Sequence, residues 1–166
     1  MLFAKPHSRH SNKAAFSILE IAIVVTIIGI LAALALPHFK RVRDESMIST
    51  LKNDMRVLAQ EFYDYELTAG EYPTTQNTAG LFPAGMEDSM PRAWILPSVV
   101  GGTYRWINSN ATATDAYAYI EITGSSSYPL RISTEQLAGI DEDLDDGNLS
   151  TGRFQLHGLS IRYYLK

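Results

Sequence analysis

One carboxylate stands inside the most apolar stretch of this 166-residue chain: Glu20, within residues 16–36, which hold no other acid and no Asn, Gln, Lys or Arg. In a membrane-spanning helix an ionised carboxylate costs about 3 kcal/mol unless it is paired or neutralised, so Glu20 calls for a partner. No basic residue lies within a helical turn of it, and Lys13 is too far back in sequence. A partner from another chain fits better. If the chain were cut just before Phe16, its new α-ammonium group could meet Glu20 of a neighbouring copy. The second chemically loaded stretch is Asp141-Glu142-Asp143-Leu144-Asp145-Asp146-Gly147-Asn148. Carboxylates this dense repel one another unless they are solvated or neutralised by a hard cation such as calcium. The candidate ligands are Asp141, Asp143, Asp145 and Asp146. The competing reading is a solvated turn at Asp-Gly, with Asp141 capping a short helix. An EF-hand is excluded, because the glycine falls one place late and Gly152 stands where the loop needs Glu.

Other chemistries find little support. His7, His10, His38 and His157 show no ligand spacing, and no nucleophile elbow, phosphate loop or dinucleotide fingerprint occurs, so no enzyme is expected. With no cysteine there is neither a disulfide nor a thiolate metal site. The formal charge is −4, and the first 15 residues contain Lys5, Arg9 and Lys13 but no acid, so the remainder is more acidic still. No nucleic acid is expected as a partner. Tyr104, Trp106, Tyr117 and Tyr119 have only Arg105 among them and read as sheet core and cross-strand pairs. Asn110-Ala-Thr112 and Asn148-Leu-Ser150 fit a glycosylation sequon too short to carry weight.

The elements that must position these residues follow from periodicity. A hydrocarbon core of about 30 Å takes about 20 apolar residues as a helix, which residues 16–36 supply. A secretory signal has a shorter apolar region, about 7–15 residues, although Ala32-Ala33-Leu34-Ala35 imitates a cleavage site. Positive charges do not orient the span, since Lys5, Arg9 and Lys13 balance Lys40, Arg41 and Arg43.

Ala15-Phe16-Ser17-Ile18-Leu19-Glu20, followed by the long aliphatic run, resembles the processing site of type IV pilins and of the pseudopilins of type II secretion systems. The resemblance implies an α+β pilin-like fold: a long amino-terminal helix, its first half in the membrane, packed on a small antiparallel sheet. It implies that a prepilin peptidase removes a basic leader, residues 1–15, on the cytoplasmic side. It further implies that Phe16 becomes the N-methylated terminus and that Glu20 guides assembly. Gly29 and Pro37 sit where the family commonly loosens this helix. Ala15 departs from the pattern, which has Gly before the cut. The implied partners are membrane lipid, further copies in a helical filament, other pilin-like subunits, the peptidase and an inner-membrane assembly platform. The carboxyl-terminal domain would lie outside the bacterial inner membrane. Major pseudopilins bind calcium in a carboxyl-terminal loop, but their loop residues do not clearly match those here.

Past the span of residues 16–37, Met47, Leu51, Met55, Leu58, Phe62 and Tyr65 recur at helical spacing and predict an amphipathic continuation over 38–70. Gly70 and Pro73 supply stop signals. Residues 71–102, rich in Pro and Gly, predict a long connection, and Tyr72-Pro73-Thr74 within it resembles major pseudopilins. Strand-like runs occur at Thr103–Asn108, Ala116–Thr123, Pro129–Ile132, Gly152–His157 and Leu159–Leu165, with Gly158 at a hairpin tip. Residues 103–166 thus form an antiparallel sheet with an acidic loop at 141–150. The expected function is a structural subunit of a pseudopilus, serving type II protein secretion. The alternatives are a minor type IV pilin (motility, adhesion or DNA uptake) or a monomeric single-pass binding module.

Overall fold

A computed structural model describes residues 17–109 and 117–166. Ala15 and Phe16 lie outside the described residues, as do the first sequon and the expected strand start at Ala116. Contacts divide the chain into two units, one ending at Val42 and the other comprising Arg43–Lys166.

Helix α1 spans Ile18–Ala69. Ser17 opens it, its hydroxyl accepting from the Leu19 amide at 3.3 Å. Every apolar side chain from Ile18 to Leu36 is exposed, so in water this part of α1 would have no core to join. Thr26 hides its hydroxyl on the Ala22 carbonyl at 2.7 Å, leaving the apolar surface unbroken. Pro37 sits inside the helix, where its missing N–H removes one rung of the ladder.

In the second unit, Leu51, Met55, Leu58, Ala59 and Phe62 form the buried stripe of α1. They pack on a four-stranded antiparallel sheet of β1 (Thr103–Asn108), β2 (Ala118–Thr123), β3 (Phe154–His157) and β4 (Ser160–Tyr164), in the order β1-β2-β4-β3. Alternation turns Tyr104, Trp106, Ile120, Ile122, Ile161 and Tyr163 towards the helix. Phe62 stacks on Trp106 with ring centroids 3.8 Å apart. The connection after α1 folds against this core through Met86, Met90 and Trp94, the last in a 3-10 turn at Arg92–Ile95. Both buried indoles find acceptors: Trp94 donates to the Leu81 carbonyl and Trp106 to that of Pro73. Residues 76–80 cover the outer edge of β1, with the Gln76 and Gly80 amides donating to the Trp106 and Tyr104 carbonyls.

Two sequence expectations differ from the structure. Pro129–Ile132 is not a strand. Pro129 has no N–H to give a ladder, and this segment instead lies against the loop at residues 98–102, with the Arg131 amide donating to Val100 and the Gly102 amide to Tyr128. The acidic stretch does not begin as a loop, because Thr134–Leu144 is helix α2, which ends after Asp141 and Asp143. Its cap is a reciprocal box between Ser133 and Gln136, so Asp141 is an interior residue of the helix and not its cap.

Candidate functional site

Two places hold the residues singled out above. The first is the start of α1. Glu20 lies in its first turn, where the partial positive charge of the helix terminus favours a carboxylate. Its side chain is exposed among aliphatic neighbours, and it forms no ion pair among the described residues. At Gly29 an added Cβ would meet nothing within 4 Å, so crowding within this chain does not require the glycine.

The second is a corner built by the end of α2 and the turn that follows it. Leu137 and Ile140 pull α2 onto the core, and this carries Asp141 to a position of 0 % exposure. Neither of its carboxylate oxygens has a hydrogen-bond partner among the described residues. Burial, reinforced by the neighbouring charges of Asp146 and Asp145, pushes its pKa up to about 6. One oxygen from each of Asp141, Asp145 and Asp146 can be chosen so that all lie within 4.8 Å of one another. The turn holds its own carboxylates in place. Asp145 accepts from the Arg153 amide, and Asp146 accepts from the Asn148 amide at 2.9 Å and the Thr151 hydroxyl at 2.9 Å. Gly152 has φ +74, and a Cβ there would collide with the Asp145 carboxylate, so the turn needs glycine on both counts.

Asp143, the fourth expected ligand, is not part of this group and pairs with Lys52 Nζ of α1 at 2.7 Å. Three carboxylates with an uncompensated buried oxygen pair suit a hard, oxygen-seeking dication such as calcium, which could complete its shell with carbonyls or water.

A further ionic cluster escaped the sequence. Glu121 of β2, 1 % exposed, lies between Arg105 of β1 and Arg162 of β4, with Arg162 Nε at 3.1 Å. The strand register puts these residues directly opposite one another. Burial alone would raise its pKa, but hydrogen bonds from Arg105 and Arg162 outweigh burial and hold the carboxyl below its usual 4.5.

No family model matches the chain. It is 36% identical over 65 residues to the type II secretion system core protein G of Pseudomonas aeruginosa, covering 39% of this chain and 46% of that protein. To the protein of the same name from Klebsiella michiganensis it is 32% identical over 68 residues, 41% and 48% of the two chains. The chain therefore matches about half the length of these curated relatives. The fold is that of the major type IV pilin PilA1 from Clostridium difficile, with a TM-score of 0.52 at 15% identity over 74% of this chain and 96% of that one. The matched segment is similar to pseudopilins, and the chain has the pilin fold. Pilins and pseudopilins are structural subunits and not enzymes. In this pilin-like chain the long helix on a four-stranded antiparallel sheet is the α+β architecture of the pilin fold.

Proposed function

We propose that this pilin-like chain is a subunit of a pseudopilus that serves type II protein secretion. The observation that supports the reading is the identity over 65–68 residues to two proteins named type II secretion system core protein G, together with an apolar helix that finds no core of its own. Residues 18–36 anchor the subunit in the bacterial inner membrane and then pack against copies of the same helix in the filament. Cleavage by prepilin peptidase before Phe16 and methylation of the new terminus release an α-amino group that neutralises Glu20 of a neighbour. An inner-membrane platform and other pilin-like subunits complete the assembly. The aliphatic face supplies the attraction and the charge pair sets register, because an unpaired carboxylate in that interior is costly.

Intact mass tests processing: the mature protein should lack residues 1–15 and carry one added methyl group. Glu20→Ala should insert into membranes normally and fail to enter filaments. An uncut amino terminus would favour a monomeric membrane-anchored binding module, and normal filaments from Glu20→Ala would end the pairing idea. The buried, unpartnered Asp141 supports a second element of the proposal, a calcium ion held by Asp141, Asp145 and Asp146. Its role is structural: it offsets charge repulsion and fastens the turn at 145–152 to α2.

A further inference from the structure

The end of the second unit at which Arg43 lies carries a bare apolar rim. The rows of the sheet give the direction along α1. Trp106 stacks on Phe62, while Tyr104, one row further, reaches back to Asp54 through its hydroxyl at 3.4 Å. The next row, Gly102, Gly124 and Leu159, therefore lies towards the Arg43 end of the helix. Three loops meet there and are tied by backbone bonds: Arg131 to Val100 at 2.7 Å, Gly102 to Tyr128 at 2.9 Å and Gly124 to Leu159 at 3.1 Å.

These loops leave large apolar groups in the open: Leu159 is 77% exposed, Leu96 55%, Tyr128 46% and Val99 44%. A groove of about 410 Å³ runs between Pro129, Leu130 and Leu159. Among residues 96–102, 124–131 and 158–159 there is one charge, Arg131, and none of the chain's 18 acids. An exposed apolar patch with a tyrosine and a cation, in a chain otherwise this acidic, matches the composition of a membrane interface: aliphatic groups below, Tyr at headgroup level and Arg on phosphate. The tether agrees. Only Pro37–Val42 separate the apolar span from Arg43, a reach of about 20 Å even when fully extended.

We infer that the rim formed by Leu96, Val99, Tyr128, Pro129 and Leu159 rests on the bilayer interface in the unassembled subunit. This holds the globular unit against the membrane until the filament withdraws it. The inference rests on residues 18–36 being the membrane anchor. It gives the subunit a second lipid contact that must be released during assembly.

The chain has no cysteine, so Leu159→Cys offers a single attachment point for an environment-sensitive fluorophore. Leu67→Cys, 87% exposed in the last turn of α1, serves as the control at the opposite end. In the full chain, reconstituted at one copy per nanodisc of phosphatidylethanolamine and phosphatidylglycerol, brominated acyl chains should quench the probe at 159. They should leave the probe at 67 unchanged. Equal quenching at both positions overturns the inference. Burial of the 159 probe only when two copies share a disc also overturns it, and assigns the rim to a second copy of this chain. A chain that fails to enter discs at all overturns the anchor and this contact together, whereas an inserted chain with an unquenched 159 probe leaves the anchor standing.

Discussion

Asp141 holds a carboxylate where water does not reach and no donor among the described residues answers it. Its folded pKa of about 6 exceeds its ordinary 3.8, so the cation-free fold binds more protons than the unfolded chain between those values and loses stability as pH rises through that window. Calcium should reverse the loss. Thermal unfolding at pH 7 should therefore show a calcium-dependent rise in Tm for the native chain and none for Asp141→Asn. A full calcium response in that variant would remove the metal from this corner. Glu121 behaves in the opposite sense. Its folded pKa lies below 4.5, so its contribution is present above that value and disappears as pH falls through the lower folded one. Glu121→Gln should cost about 1–2 kcal/mol at pH 7, because both arginines can turn outward to water, and should flatten the acid limb of the stability curve. Arg162→Met should cost less, because Arg105 still donates to the buried carboxylate and neutralises it. Equal losses in denaturant unfolding would refute this ordering.

At the scale of elements, α1 was legible because its two halves obey different periodic rules. An unbroken apolar run marks the first half, and the spacing of Leu51, Met55, Leu58 and Phe62 marks the second. Phe62→Ala removes the ring stacked on Trp106 and should destabilise the second unit by about 3–5 kcal/mol in denaturant unfolding. The strand alternation was equally open to reading, and the hairpin tip at Gly158, with φ +59, follows the glycine preference of tight turns. Helix α2 was missed although its cues were present: Leu137, Ile140 and Leu144 at helical spacing behind a Ser133-x-x-Gln136 box. The acidic residues at its end drew the reading towards a loop. Ser133→Ala should cost about 1 kcal/mol and, by fraying α2, weaken calcium binding although the substituted residue lies about two helical turns before the first candidate ligand, Asp141. Calcium titration followed by Tm would show both effects, and an unaltered affinity would mean that α2 is held by its core contacts alone.

For the whole molecule, every residue of the hydrophobic core and its packed margin among the described residues lies at or beyond Met47. A fragment comprising residues 43–166 should therefore fold in water with the near-UV signal of the full chain, and a molten spectrum would show that the anchor contributes to the fold. The sequence by itself determined what depends on local pattern: an apolar span, a helical stripe and period-two strands, each of which tells a side chain which face to take. It also located Glu20, because its anomaly is visible against its immediate neighbours. The tertiary structure alone decided which charges meet. Lys52 finds Asp143 across 91 residues, and Glu121 finds Arg105 and Arg162 through the registers of two different strand pairs. It likewise gathered three distant loops into one apolar rim with a single charge, Arg131. Such partners depend on how helices seat and strands align, and a pattern of period two or 3.6 specifies a face without specifying what lies opposite it.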